Sequence, residues 1–211
     1  MTWILLFLIF VITAETAMIN RFPVLLRSFR YQSLCLALLT LLTAYREASL
    51  ELYIIAFLLF VIKVMLIPWS FNILVKRIKT SEHLGLFINQ PIALTFMVII
   101  GLISWYFANM IILAPHYLAQ LTILLACFIM LTGVFLMISK IKALGQVIGL
   151  LMTENGVFLA ATIIPGGMPF FVEIALFFDI LISVMILGLF VYRINAIFTH
   201  IDVSELTGLK G

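Results

Sequence analysis

Residues 52–69 read LYIIAFLLFVIKVMLIPW, and this run decides how the rest of the chain must be understood. A helix needs about 20 mostly apolar residues to cross a hydrocarbon core near 30 Å thick, and the apolar stretch here extends over about 52–75. Near its middle stands Lys63. From there either end of the helix is about 17 Å away at 1.5 Å per residue, too far for the ammonium to snorkel to an interface easily. A charge facing lipid at such depth costs at least roughly 2.5 to 3.5 kcal/mol, so it turns towards protein or a water path. Pro68 follows five residues later. With no amide hydrogen, it should leave the carbonyl of Val64 free and bend the helix beside the lysine.

The whole chain has the composition of a membrane protein. Of its 211 residues 65% are hydrophobic and 10% charged, and the mean hydropathy is +1.31. That is too little polar surface to cover a water-soluble globule. Nearly every residue is needed for spans and short connections, so no large soluble domain fits. The two cysteines, Cys35 and Cys127, lie in apolar runs without a CxxC pair or a Cys/His cluster. Nothing here is spaced to hold zinc, haem or an iron–sulfur centre, and no metal site is expected in this chain.

Outward from 52–75, six more segments have span-like character: about 2–19, 31–45, 88–107, 117–139, 144–163 and 170–192. The reading is an all-α, polytopic transmembrane bundle of seven spans, with the N-terminus out and the C-terminus in. Charge distribution supports it. Inner connections would carry Arg21, Arg27 and Arg30, then Lys76, Arg77 and Lys79, then Lys140 and Lys142, then Arg193 and Lys210; outer ones carry only Arg46. That asymmetry is what the positive-inside rule requires, and it accounts for the net charge of +3 without a nucleic-acid partner. The chain divides into a four-helix half, 1–115, and a three-helix half with a short tail, 116–211.

Two carboxylates share the midplane with Lys63. Glu154 is central in GLLMTENGVFLAA (149–161), flanked by Thr153, Asn155 and Gly156; Asp179 is isolated in EIALFFDILISV (173–184). A short IPGGMPF turn joins the two helices, so the carboxylates are candidates to approach one another. Groups of this kind, buried in low dielectric beside an ammonium, are suited to taking up and releasing protons. The bland alternative is that they hold the bundle together as ion pairs or interhelical hydrogen bonds.

Other positions carry weaker signals. Glu173 falls in the first turn of the last span, where a helix N-terminus favours a carboxylate. Glu15, near the inner end of the first span, is placed for an interfacial ion pair with the Arg21 region. His83, His116 and His200 are scattered without metal-ligand spacing. Thr132 and Gly133 read as helix-packing residues.

The stretch LTGVFLMISKIKALGQVIGLLMTENGVFLAA (131–161), the acidic helix after it and the tail THIDVSELTGLKG (199–211) resemble the three-helix K subunit of respiratory complex I. That family has a basic inner loop, a helix with a Gly-Leu-Glu motif and a second intramembrane carboxylate on the next helix. Its Gly-Leu pair falls on Gly149 and Leu150 and its asparagine on Asn155, whereas the glutamate expected at Leu151 stands at Glu154, nearly one turn on. Asp179 would replace the second family glutamate. With the Lys-Pro helix added, the whole chain resembles component E of hydrogenase-4, from the membrane arm of group 4 nickel-iron hydrogenases and formate hydrogenlyase-like complexes.

The resemblance implies a subunit of the prokaryotic cytoplasmic (inner) membrane with no cofactor of its own. Its partners would be antiporter-like membrane subunits, a complex-I-like heel subunit and a peripheral arm with nickel-iron and iron–sulfur centres. The expected role is a proton or sodium path through Lys63, Glu154 and Asp179, with Asn155, Glu173 and Glu15 secondary, coupled to electron transfer in the peripheral arm. Two alternatives stand beside it: a small subunit of a multisubunit cation/proton antiporter, and a passive membrane anchor.

Overall fold

The computed structural model describes residues 2–78, 84–85, 89–111 and 117–162, and among them all regular structure is helical. The helices are α1 (Thr2–Thr16), α2 (Phe22–Glu47), α3 (Leu50–Leu59), a π-helical segment (Phe60–Leu66), α4 (Ile67–Ile78), α5 (Gln90–Met110), α6 (Tyr117–Ser139) and α7 (Ala143–Ala161). Five stretches are long and apolar enough to cross a membrane: Phe22–Glu47, Leu50–Ile73, Pro91–Met110, Tyr117–Ser139 and Ala143–Ala161. At 15 residues, α1 is apolar but shorter. The segment expected over 170–192 lies outside the described residues.

The largest departure from the sequence reading is α2, expected as a short span over 31–45 that could extend into its flank at Arg30, and observed from Phe22 to Glu47. Arg27 and Arg30 interrupt the hydropathy, yet they lie exposed on the helix instead of in a connection. Two physical causes carry the helix through them. Pro23, in the first turn behind an extended Arg21, is pre-set for helix. On the opposite face Phe22, Leu25, Leu26 and Phe29 are buried at 0–4% exposure, which fixes this turn against the bundle. The helix ends where Ala48 adopts a left-handed conformation (φ 49°), and Ser49 N–H bonds back to Ala44 O. Leu50 opens the next helix at once, so α2 and α3 form a tight hairpin with Glu51 in the favourable first turn.

Leu50–Ile78 is continuous, and it does not simply kink at Pro68. Seven residues before the proline take π geometry, and Ile67 N–H reaches Ile62 O, five residues back. This has a packing consequence. Leu59, Lys63, Ile67 and Phe71, spaced by four, are all buried at 0–3% exposure. In an ideal α-helix a stripe spaced by four drifts by about 40° per step. Wider π turns cancel that drift, so one line of side chains faces inward along the rod.

At the centre α2 packs on α1, α3, the π segment, α4 and α7, while α6 lies against α1, α5 and α7. The core combines Leu6 and Ile9 of α1 with Leu36 of α2, Ile129 of α6 and Phe158 of α7. The α6–α7 crossing is the closest in the bundle, and glycines permit it. A methyl on Gly149 would stand 2.7 Å from Gly133 O and 2.9 Å from Met137 N; one on Gly156 would stand 2.8 Å from Ala126 O. Gly149, which the resemblance places in a motif, therefore has a backbone-packing role here.

Candidate functional site

Lys63 projects from the π segment into the bundle and is fully buried. It stands 13 residues from Leu50 and 15 from Ile78, at the middle of its rod. Across from it on α7, Glu154 is 8% exposed, and its Oε2 lies 3.6 Å from Lys63 Nζ. The next residue completes the contact: Lys63 Nζ donates to Asn155 Oδ1 at 3.1 Å. Two of the charges that the sequence singled out, 91 residues apart in the chain, thus meet in the interior, and Asn155 moves from a secondary candidate to the hub.

Asn155 is fully buried and makes three polar contacts. Since an ammonium only donates, Oδ1 must be the atom facing Lys63. That orientation points Nδ2 at α2, where it donates to Gln32 Oε1 at 3.1 Å and to Ser33 Oγ at 3.0 Å. Gln32 Nε2 then donates to Thr13 Oγ1 of α1 at 2.8 Å, and Thr13 donates to Ile9 O at 2.6 Å. The hydrogen bonds run in one direction, from Lys63 through Asn155, Gln32 and Thr13 to a backbone carbonyl. Each acceptor end faces the ammonium, so the chain's dipoles add in its favour in a dry interior. Thr13, Gln32, Ser33, Lys63 and Asn155 are all no more than 2% exposed.

Chemically, the arrangement is a buried ammonium held between a carboxylate at 3.6 Å and an oriented amide at 3.1 Å. The gap to Glu154 is longer than a direct hydrogen bond. A small displacement of Lys63 along the π segment would change the balance between these two partners, and with it the proton affinity of the carboxylate.

Of the remaining sequence candidates, only Glu15 is among the described residues. Glu15 is exposed at the end of α1, where its Oε1 accepts from Ser28 Oγ at 2.9 Å; a serine hydroxyl stands where the sequence pointed to an arginine. Asp179 and Glu173 lie outside the described residues. Cys35 and Cys127 are free thiols, and among the described residues no three His, Cys, Asp or Glu side chains are grouped to hold a metal ion.

A second buried lysine sits at the end of the bundle. Lys140, between α6 and α7, is fully buried and donates from Nζ to Ile19 O in the α1–α2 connection. Gln146 Nε2 in turn donates to Lys140 O at 3.0 Å. Burial lowers the Lys140 amine to about 8. In the sequence it read only as part of a basic connection.

No family model matches the chain, and no solved structure matches it. It is similar to a Mycobacterium tuberculosis protein described as "Uncharacterized protein Rv0085", with 24% identity over 192 residues, 88% of this chain and 85% of that one.

Proposed function

We propose that this chain is a membrane-arm subunit of a complex-I-like, membrane-bound hydrogenase, and that it lends buried charges to a proton or sodium path. The observation that carries the reading is the Lys63–Glu154 pair, 3.6 Å apart in the bundle interior with Asn155 fixed beside it. Ionisable groups at that depth are expensive, and a path for ions is a function that needs them there. The resemblance to hydrogenase-4 component E supplies the setting: seven spans in the prokaryotic cytoplasmic membrane, N-terminus out and C-terminus in. Its partners are antiporter-like subunits, a heel subunit and a peripheral arm with nickel-iron and iron–sulfur centres. Asp179 is the second carboxylate of the path in this reading, and electron transfer in the peripheral arm biases its protonation states.

The test is made on the native complex in sealed vesicles. Glu154→Gln keeps size and hydrogen-bonding capacity and removes the titrating group, so redox turnover should continue while ions moved per electron pair fall. Lys63→Met should act in the same direction. Unchanged stoichiometry in both variants refutes the path through this chain. Absence of nickel and of iron–sulfur subunits from the purified complex refutes the hydrogenase setting separately.

A second reading, a passive structural lock, is favoured by the saturation of Asn155, whose amide contacts Lys63, Gln32 and Ser33 at once. It requires that both variants lose assembly and turnover together.

A further inference from the structure

On the outer surface of the π segment, opposite the buried face that carries Lys63, lies an open groove of about 470 Å³. Val61, Val64, Met65 and Trp69 form its apolar wall, and Arg30 of α2 and Asn72 of α4 supply the polar groups. Arg30 is exposed on a membrane-length helix. Among the described residues no carboxylate forms a salt bridge with it.

Position makes the guanidinium informative. Arg30 lies eight residues beyond Phe22 in α2, about 12 Å along a helix of roughly 39 Å. Unlike Lys63, it is close enough to one end to reach the headgroup region with its long side chain. Arg27, three residues earlier, is also exposed and lies on the same side of the helix. Across the groove Trp69 is 64% exposed; a tryptophan with one apolar side and one hydrogen-bond donor belongs at the same interfacial depth. A cation, an amide and an indole therefore stand at one end of an apolar channel that continues past Met65 to Val61, towards the middle of the rod.

We propose that this groove binds an anionic phospholipid, its phosphate on Arg30 and Asn72 and one acyl chain along Val61, Val64 and Met65. Charge complementarity selects the headgroup: a guanidinium at the edge of hydrocarbon meets a phosphate with two parallel hydrogen bonds, and gains most where no headgroup cation offsets the phosphate charge. The apolar wall selects a molecule with a hydrocarbon tail over a free anion. The lipid would lie directly behind the π segment, bracing from outside the turns that hold Lys63 inside. This inference does not depend on the hydrogenase setting.

The test is native mass spectrometry of the full-length chain in a neutral detergent, titrated separately with phosphatidylglycerol, phosphatidylcholine and inorganic phosphate. Phosphatidylglycerol should be retained several-fold more tightly than phosphatidylcholine, because both carry the phosphate but the choline cation offsets its charge and is repelled by Arg30, and inorganic phosphate should not compete. Arg30→Gln should remove the preference, whereas Arg46→Gln at the far end of α2 should leave it intact. Met65→Trp, which fills the channel and keeps the cation, should lower retention of both lipids. Equal preference in Arg30→Gln and wild type, or full competition by inorganic phosphate, overturns the proposal. So does a cross-link from Met65→Cys to a cysteine placed in residues 163–211 or in a second copy, because the groove would then be filled by protein.

Discussion

Removing Lys63 is the most informative perturbation of the interior, because the structure sets its size. Opposite unit charges 3.6 Å apart attract by about 5 kcal/mol at an effective dielectric constant of about 20, and by little more than about 1 in bulk water. The site is nearly dry, so the larger figure is the better guide. The charge-assisted hydrogen bond to Asn155 adds about 1.5–3 kcal/mol. Against these stands the relief of desolvating an ammonium, which is why apolar replacement of a whole buried pair is often neutral. Lys63→Met and Glu154→Gln should each therefore cost about 3 kcal/mol, while the double variant costs about the same as either single one. The coupling energy is then about 3 kcal/mol, well above the few tenths expected of independent sites. Unfolding of the full chain in mixed detergent micelles measures all four corners of the cycle. Coupling below about 0.5 kcal/mol would refute the claim that the two groups form one charge system, and the placement of Lys63 with it.

Three further outcomes follow from other parts of the bundle. Gly149→Leu forces a side chain against Gly133 O and Met137 N, so the α6–α7 pair should separate and thermal stability in detergent should fall by more than about 3 kcal/mol; Gly101→Leu, whose nearest neighbour is 4.0 Å away, should be tolerated. Lys140 gives a pH signature of known sign. Its folded value of about 8 lies below the ordinary 10.5, so between these values the unfolded chain holds more protons, and stability should rise with pH by roughly 1–3 kcal/mol. In Lys140→Met that rise should be absent from the unfolding midpoint measured between pH 7 and 10.5. For the proposed topology, cysteine labels at the N-terminus and in 108–116 should react from outside, and labels in 78–82 and at the C-terminus from inside; an outside C-terminus would sink the seven-span arrangement.

What the sequence disclosed and what it hid divide along a physical line. A charge in an apolar run must find a partner inside the protein, so Lys63 and Glu154 identified themselves. Uncharged polar residues carry a much smaller penalty, and Thr13, Gln32 and Ser33 passed unnoticed although they complete the network. Gln32 was hidden for a second reason. A second span that starts at residue 31 has it at a helix mouth, whereas α2 begins at Phe22 and places Gln32 ten residues in. The signal was present: Pro23 marks a helix start, and Phe22, Leu25, Leu26 and Phe29 recur at helical spacing. Pro68 announced a disturbance beside Lys63, but backbone chemistry alone does not distinguish a kink from a π segment. That choice is made by the neighbours that Ile67 and Phe71 must face.

The two partners of the buried pair stand on backbones of different stiffness, and this bears on which of them moves. Glu154 and Asn155 belong to α7, pinned to α6 by backbone contacts at Gly133, Gly149 and Gly156. Lys63 belongs to a π segment, whose hydrogen-bond register is less regular and which lies above an open groove. An adjustable ammonium facing a fixed carboxylate is the arrangement that lets a backbone change alter a proton affinity. Deleting Phe60, which is 40% exposed, tests it. An α-helix turns by about 100° per residue, and the π segment absorbs about one residue of extra length relative to that register. The deletion should restore α geometry, keep Ile67 and Phe71 against Phe22 and Leu25, and keep Lys63 in register with them. Leu59, Ile55 and Leu52 should stay against the core as well, because the residue removed is the one that the wide turns absorbed. The variant should fold, and Lys63 should lose its freedom to shift. On the proposed ion path, ion movement per electron pair should then fall although both charges remain. If the deletion leaves ion movement at the wild-type value, the π segment is a packing device alone and the mobile element lies elsewhere.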